Sequence, residues 1–241
     1  MVNKKHGSKV SPLEKSIKSE FDYLVESLVD FLKTERKTLL YLSKANIEEP
    51  KDTEFKPYTG WERWLQIAWP KWMTEAKSKH FENKYHMCLE VSFDRDGKKN
   101  KEKVINRIDL VFLPKQKQEH YIGIELKVGE WADQAIRGGI DDIRGYYELK
   151  PTAWKDWGFR CLLAVVIYRD THGESKYEDA ILLNEKLKHG RGFLHSLPND
   201  WKLGVFGWEP NLLSDSTRDN FNDWYKAFAD TAKERGLNTC L

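Results

Sequence analysis

Nowhere in this sequence do about 18 apolar residues run together, so no segment is expected to span a membrane. Cysteine is scarce. Cys88, Cys161 and Cys240 are odd in number and far apart, which speaks against both a disulfide framework and a cysteine-held zinc site. Neither sign of charge dominates: 40 Lys and Arg stand against 38 Asp and Glu, a net of +2. No global basic field announces nucleic acid, and any such binding must rest on local patches. Familiar catalytic signatures are missing too. There is no phosphate-cradling G-x-x-x-x-G-K-[ST], no dinucleotide G-x-G-x-x-G, no G-x-S-x-G elbow and no H-E-x-x-H, and the seven histidines are scattered. The opening MVNKKHGSKVSPLEK carries charges with no apolar stretch behind them, so a secretory leader is not expected and a cytoplasmic protein is.

What the chain does have is core. At 241 residues, 40% of them hydrophobic, it suits one large α/β domain or such a core with a helical extension. We expect an N-terminal helical extension over 1–50, an α/β core over 55–210, and a helix within 211–241 packed on it. Apolar residues recur at three- and four-residue steps from Leu13 to Leu32, predicting helix over 12–44 that starts at Ser11-Pro12. A second helix opens near Gly60, and Pro70 should break or kink it. Stretches 85–94, 104–113 and 121–128 then read as three antiparallel strands with polar turns between them. A helix follows at roughly 131–149, weakened in the middle by Gly138-Gly139. FRCLLAVVIYR (159–169) has the continuous apolar character of a strand covered on both faces, 201–208 is a shorter strand, and 216–236 is an amphipathic helix. The segment HGRGFLH (189–195) reads as a loop. The fold expected is α/β, a mixed central sheet of four to five strands flanked by helices.

One strand spoils its own pattern. In IGIELKVG (122–129), Ile122, Ile124, Leu126 and Val128 form an apolar face, while the opposite face carries Glu125 and Lys127 two residues apart. The preceding strand has one carboxylate, Asp109, in the apolar context Ile108-Asp109-Leu110-Val111-Phe112. A hairpin brings Asp109 near Glu125, and two acids so placed raise each other's pKa unless a cation neutralises them. A hard divalent ion such as Mg²⁺, with Mn²⁺ as a substitute, suits those oxygens. Lys127 beside it can position or help deprotonate a water and offset phosphate charge. On the helix before the sheet, Glu62 and Gln66 lie along one edge of the apolar stripe, so Glu62 is the expected third acid and Glu90 the other candidate.

RIDLVF…GIELKV, with a helical Glu upstream and a helix downstream, resembles the PD-(D/E)XK nuclease superfamily, the restriction-endonuclease-like folds. The resemblance covers roughly residues 60–170, and Ile108 stands where the family has proline. It implies that Asp109, Glu125 and Glu62 hold a catalytic metal and that Lys127 serves the attacking water, these four being the catalytic set. Some members carry a Gln and a Tyr on the helix after the ExK; Gln134 and Tyr146 have the wrong spacing for that role.

The function expected is Mg²⁺-dependent hydrolysis of DNA phosphodiester bonds, with RNA not excluded, by an endonuclease of the restriction or antiviral-defence kind acting as a homodimer. Lys98, Lys99 and Lys101 at a hairpin tip, and Arg137 and Arg144 on the following helix, are candidate phosphate contacts. For each the plainer reading is a solvated charge. Trp61, Trp64, Trp69 and Trp72 could stack bases, but their helical spacing favours packing. The alternatives are a nuclease-like fold without catalysis that binds nucleic acid or protein, and an interaction protein working through its N-terminal helix.

Overall fold

The computed structural model describes residues 19–45, 59–75, 79–94, 105–116, 120–147, 159–169, 175–211 and 217–235. In chain order its helices are α1 (Glu20–Thr34), α2 (Arg36–Ala45), α3 (Thr59–Glu75), α4 (Lys79–Lys84), α5 (Ala132–Tyr147), α6 (Ser175–Asn184) and α7 (Arg218–Glu234). Its strands are β1 (Tyr85–Asp94), β2 (Ile105–Pro114), β3 (Tyr121–Trp131), β4 (Phe159–Arg169), β5 (Gly190–Ser196) and β6 (Trp201–Trp208). They form one mixed sheet in the order β1-β2-β3-β4-β6-β5. β3 and β4 are parallel, joined across α5, and the other neighbours run antiparallel. The fold is α/β with helices on both faces.

Alternation along the strands decides which helices cover which face. Leu110, Phe112, Ile122, Ile124, Leu126, Leu163 and Val165 share a buried cluster with Phe21, Leu24 and Leu28 of α1, Trp61, Leu65 and Trp69 of α3, and Phe81 of α4. On the other side, Val111, Leu162, Ala164, Val166 and Phe206 meet Ile136, Ile140 and Ile143 of α5, Ile181 of α6 and Phe228 of α7. β4 is buried on both faces along nearly its whole length, as its unbroken apolar run demands. The four tryptophans of α3 are packing residues. Trp61 and Trp69 are buried, with Trp61 stacked on Trp201 at 5.1 Å, and Trp64 and Trp72 lie against the same cluster.

Several expectations need correction. Helix does not run through 12–44. Ser19 caps α1 in an extended conformation, its hydroxyl accepting the Asp22 N–H while Asp22 accepts the Ser19 N–H, and the helix ends at Glu35 before α2 begins. Apolar periodicity is blind to such a capping box. The expected start at Ser11-Pro12 lies outside the described residues. Pro70 sits inside α3, which continues to Glu75, because buried Trp69 and Met73 pin the turns around it to the core.

The sheet has six strands rather than four to five, since most of the segment read as a loop is edge strand β5. Its glycines dilute the strand signal for a packing reason. The last turns of α6 cross so close that a Cβ on Gly192 would lie 2.1 Å from the Ile181 carbonyl oxygen. α6 itself gave no signal, because Ala180 and Ile181 are buried while Leu182 is exposed, a stripe too narrow to read as a helical period. Among the described residues no helix is long and apolar enough to cross a membrane.

Gly192→Ala tests this packing. A methyl forced against backbone cannot be relieved by a rotamer change, so urea unfolding should register a loss near the upper end of about 1–3 kcal/mol.

Candidate active site

β2 and β3 pair only as far as Leu110 opposite Ile124. Beyond that rung β3 stays with β4 up to Trp131, while β2 stays with β1 down to Ile105. The sheet therefore forks, and β3 is left with amide groups that a neighbouring strand would ordinarily satisfy. Two carboxylates take them. The Leu126 N–H donates to Asp109 Oδ2 at 2.8 Å and the Val128 N–H to Glu62 Oε1 at 3.0 Å. Gln66, one helical turn after Glu62, donates to the Asp109 carbonyl at 3.1 Å. α3 thus acts as a wedge, and its polar edge satisfies the parted strands.

Asp109 and Glu125, each one step past the last pair, meet at the crotch of the fork, close enough for each carboxyl to act on the other. Burial raises the Glu125 pKa well above its ordinary value, with the charges of Asp142 and Asp109 adding to it. Burial also raises Asp109, though the Leu126 N–H and Lys127 pull it back. Glu62 follows the same pattern, burial raising it while the Val128 N–H and Lys127 oppose. Glu62 therefore lines the same open edge of β3 as Asp109, whose charge bears on it. Glu90, the other candidate, is held by Arg63 and Arg107, and its charge also bears on Asp109.

Lys127 shares the Glu125 face of β3, and its Nζ lies 2.7 Å from Asp142 Oδ2 of α5. Burial alone would lower the Lys127 pKa, but Asp142, with Glu62 and Asp109 behind it, drives it above the ordinary lysine value. Lys127 is thus a firm ammonium, able to donate hydrogen bonds and offset charge. It is poorly suited to taking a proton. Gly138 makes room for its stem, since a Cβ there would sit 3.2 Å from Lys127 Cδ. One turn beyond Asp142 comes Tyr146, its hydroxyl over Gly123 and near enough to Glu125 for that carboxylate to bear on it. Burial, reinforced by that carboxylate, holds the phenol well above its usual pKa.

Asp142 escaped sequence reading, and Tyr146 was set aside on its spacing to Gln134. The available signal was the spacing 138–142–146, a glycine, an acid and a tyrosine at successive turns beside the apolar stripe of α5.

The expected phosphate contacts fare differently. Arg137 is bound to both oxygens of Asp133, at 2.8 and 2.7 Å, so much of its charge is already answered. The charge of Arg144 bears on Asp141, whose pKa is raised by burial and drawn back by Arg144 and Arg137. Lys98, Lys99 and Lys101 lie outside the described residues.

Among the described residues no group of three or more His, Cys, Asp or Glu side chains is gathered to hold a metal ion. A magnesium site asks for less, one or two carboxylates with water and phosphate completing the shell. Asp109 and Glu125 meet that requirement. Four carboxyl groups (Asp109, Glu125, Glu62 and Asp142) act on the one ammonium of Lys127, an imbalance that a proton or a hard cation relieves.

The raised carboxyls set the sign of a pH effect. A folded Glu125 keeps its proton above its ordinary value of 4.5. Its contribution to stability is therefore whole below that pH and is lost as pH rises through the folded pKa. Urea titrations from pH 5 to 8 in EDTA should find the wild type losing stability relative to Glu125→Gln. The slope should reach at most about 1.4 kcal/mol per pH unit, the weight of one proton. Parallel curves would mean Glu125 is ionised throughout.

No protein-family model matches this chain, and neither does any curated protein or solved structure, so the meaning of the site rests on its own residues.

Proposed function

We propose that this protein is a divalent-metal-dependent nuclease that hydrolyses phosphodiester bonds in DNA by direct attack of water. One observation carries the reading: where β2 and β3 part, the Asp109 and Glu125 carboxyls come within each other's influence, with the Lys127 ammonium on the Glu125 face. Asp109 and Glu125 would hold a Mg²⁺ ion, which would supply positive charge for the phosphate and lower the pKa of water there.

The protein's own groups do the rest. Lys127, held protonated, donates to the water or to a non-bridging phosphate oxygen and offsets charge that builds there. Asp142 fixes where that ammonium points. Glu62 and Gln66 hold β3 and Asp109 at the spacing the site requires. The buried Tyr146 phenol lies within the influence of Glu125 and can donate to that carboxyl.

The test is cleavage of supercoiled plasmid, linear DNA and RNA by the purified protein in Mg²⁺, Mn²⁺ or EDTA. Metal-dependent nicking is expected, with no cleavage in EDTA. Glu125→Gln and Asp109→Asn should abolish it, and Mg²⁺ should raise the melting temperature of the wild type but not of these variants. Lys127→Ala should lower kcat by about 10²–10³-fold, the usual worth of one donor to charge that develops in the transition state. A wild type inert with every metal and substrate, yet binding DNA, would instead mark a nuclease-like binding module.

A further inference from the structure

Glu90 interrupts an otherwise regular hairpin. β1 and β2 keep one register from Tyr85 opposite Pro114 to Asp94 opposite Ile105, and the rung passed over is Glu90 opposite Asp109. Glu90 has φ of 49°, a left-handed backbone that glycine or asparagine adopts readily and glutamate does not. Strain of this kind persists where surrounding structure holds it and gathers at functional positions. Here it turns the carboxylate toward two guanidinium groups. Arg63 of α3 is bonded to one Glu90 oxygen, and Arg107 Nη1 lies 3.7 Å from the other. Both arginines remain more than half exposed, at 58% and 69% of their side-chain surface.

These two arginines come from different elements and converge on one small anion. Each belongs to the frame of the candidate active site. Arg63 follows Glu62 and donates to Gln66 Oε1 at 2.9 Å, and Arg107 is two residues before Asp109. Their position at the fork sets them apart from an ordinary exposed ion pair, which is worth little and can form anywhere on a surface.

We propose that Arg63 and Arg107 form a phosphate-binding clamp for a nucleic-acid strand entering the fork, with the Glu90 carboxylate occupying the clamp until a phosphodiester displaces it. The proposal rests on the nuclease reading for its ligand class, and its test measures binding separately from cleavage. A phosphate offers the same kind of oxygen acceptors as the carboxylate, and paired arginines suit either. The exchange leaves Glu90 free to turn to solvent. Arg63 and Arg107 are thereby phosphate-positioning residues.

The experiment is fluorescence anisotropy with labelled single-stranded and duplex DNA and with RNA, in Ca²⁺ and in EDTA, across a salt series. Arg63→Ala and Arg107→Ala should each weaken binding and lower the slope of log Kd against log salt. The reduction should be about 0.9 for duplex and about 0.7 for a single strand. Arg107→Lys, which keeps the charge, should restore the slope. Glu90→Gln should do the reverse of the alanine variants, tightening binding roughly two- to fivefold by removing the competing charge. Melting curves on the same samples check that each variant is folded. The comparison of DNA with RNA names the strand the clamp prefers. Unchanged slopes in both alanine variants, or weaker binding by Glu90→Gln, would reduce the cluster to a surface ion pair and overturn the proposal. If binding follows the expected pattern but the wild type never cleaves, the clamp stands and the hydrolytic reading falls.

Discussion

Everything particular about this molecule follows from two amide hydrogen bonds. Where β2 leaves β3, the Leu126 and Val128 N–H groups need acceptors, and the chain supplies carboxylates from Asp109 and Glu62. A buried amide without a partner costs about as much as a lost hydrogen bond. The fork is therefore stable only while acids stand at its edges. Once they are there, Glu125 is forced into their company, and its burial outweighs the help of Lys127, an imbalance that a proton or a cation relieves. The polar centre of the domain is a consequence of how the sheet is opened.

Electrostatic strain around the site is distributed by the helices rather than by the sheet. α5 contributes Asp142, which holds Lys127 charged and at the same time makes ionisation of Glu125 harder. α3 contributes Glu62 and Gln66 from one face and Arg63 from the next position along. A single turn of α3 thus braces the interior of the fork and reaches its rim. Core packing keeps that turn in place, since Trp61 and Leu65 lie within the same cluster as Leu126 and Leu24.

Much of this was legible in the sequence. Alternation located β1, β2, β3, β4 and β6 to within a few residues, because each has a buried face or a buried run. The group Asp109, Glu125 and Lys127 stood out because charge on an apolar strand is costly and so needs a reason. The rest depended on contacts that no local pattern encodes. β5 is strand because β6 pairs with it, and it carries glycine because Ile181 crosses it. α1 begins where Ser19 and Asp22 cap it, and the Glu209 carboxylate from beyond β6 takes the Glu20 N–H at 2.8 Å. Asp142 was hidden by its neighbour Asp141, since two adjacent acids on a helix look like solvated surface until the partner strand is in place.

The double duty of Asp109 and Glu62 bears on how such a chain drifts over time. Each carboxylate answers both to the fold, as an acceptor for a strand amide, and to whatever chemistry the fork performs. A lineage that ceased to need that chemistry would still be held to an acceptor at both positions. Lys127 has no such obligation to the backbone, but its charge is bound to the fold in another way, since without it Asp142 and the neighbouring acids would share the fork with no ammonium between them. Among descendants of this fold, a surviving acid at either position would say little about activity.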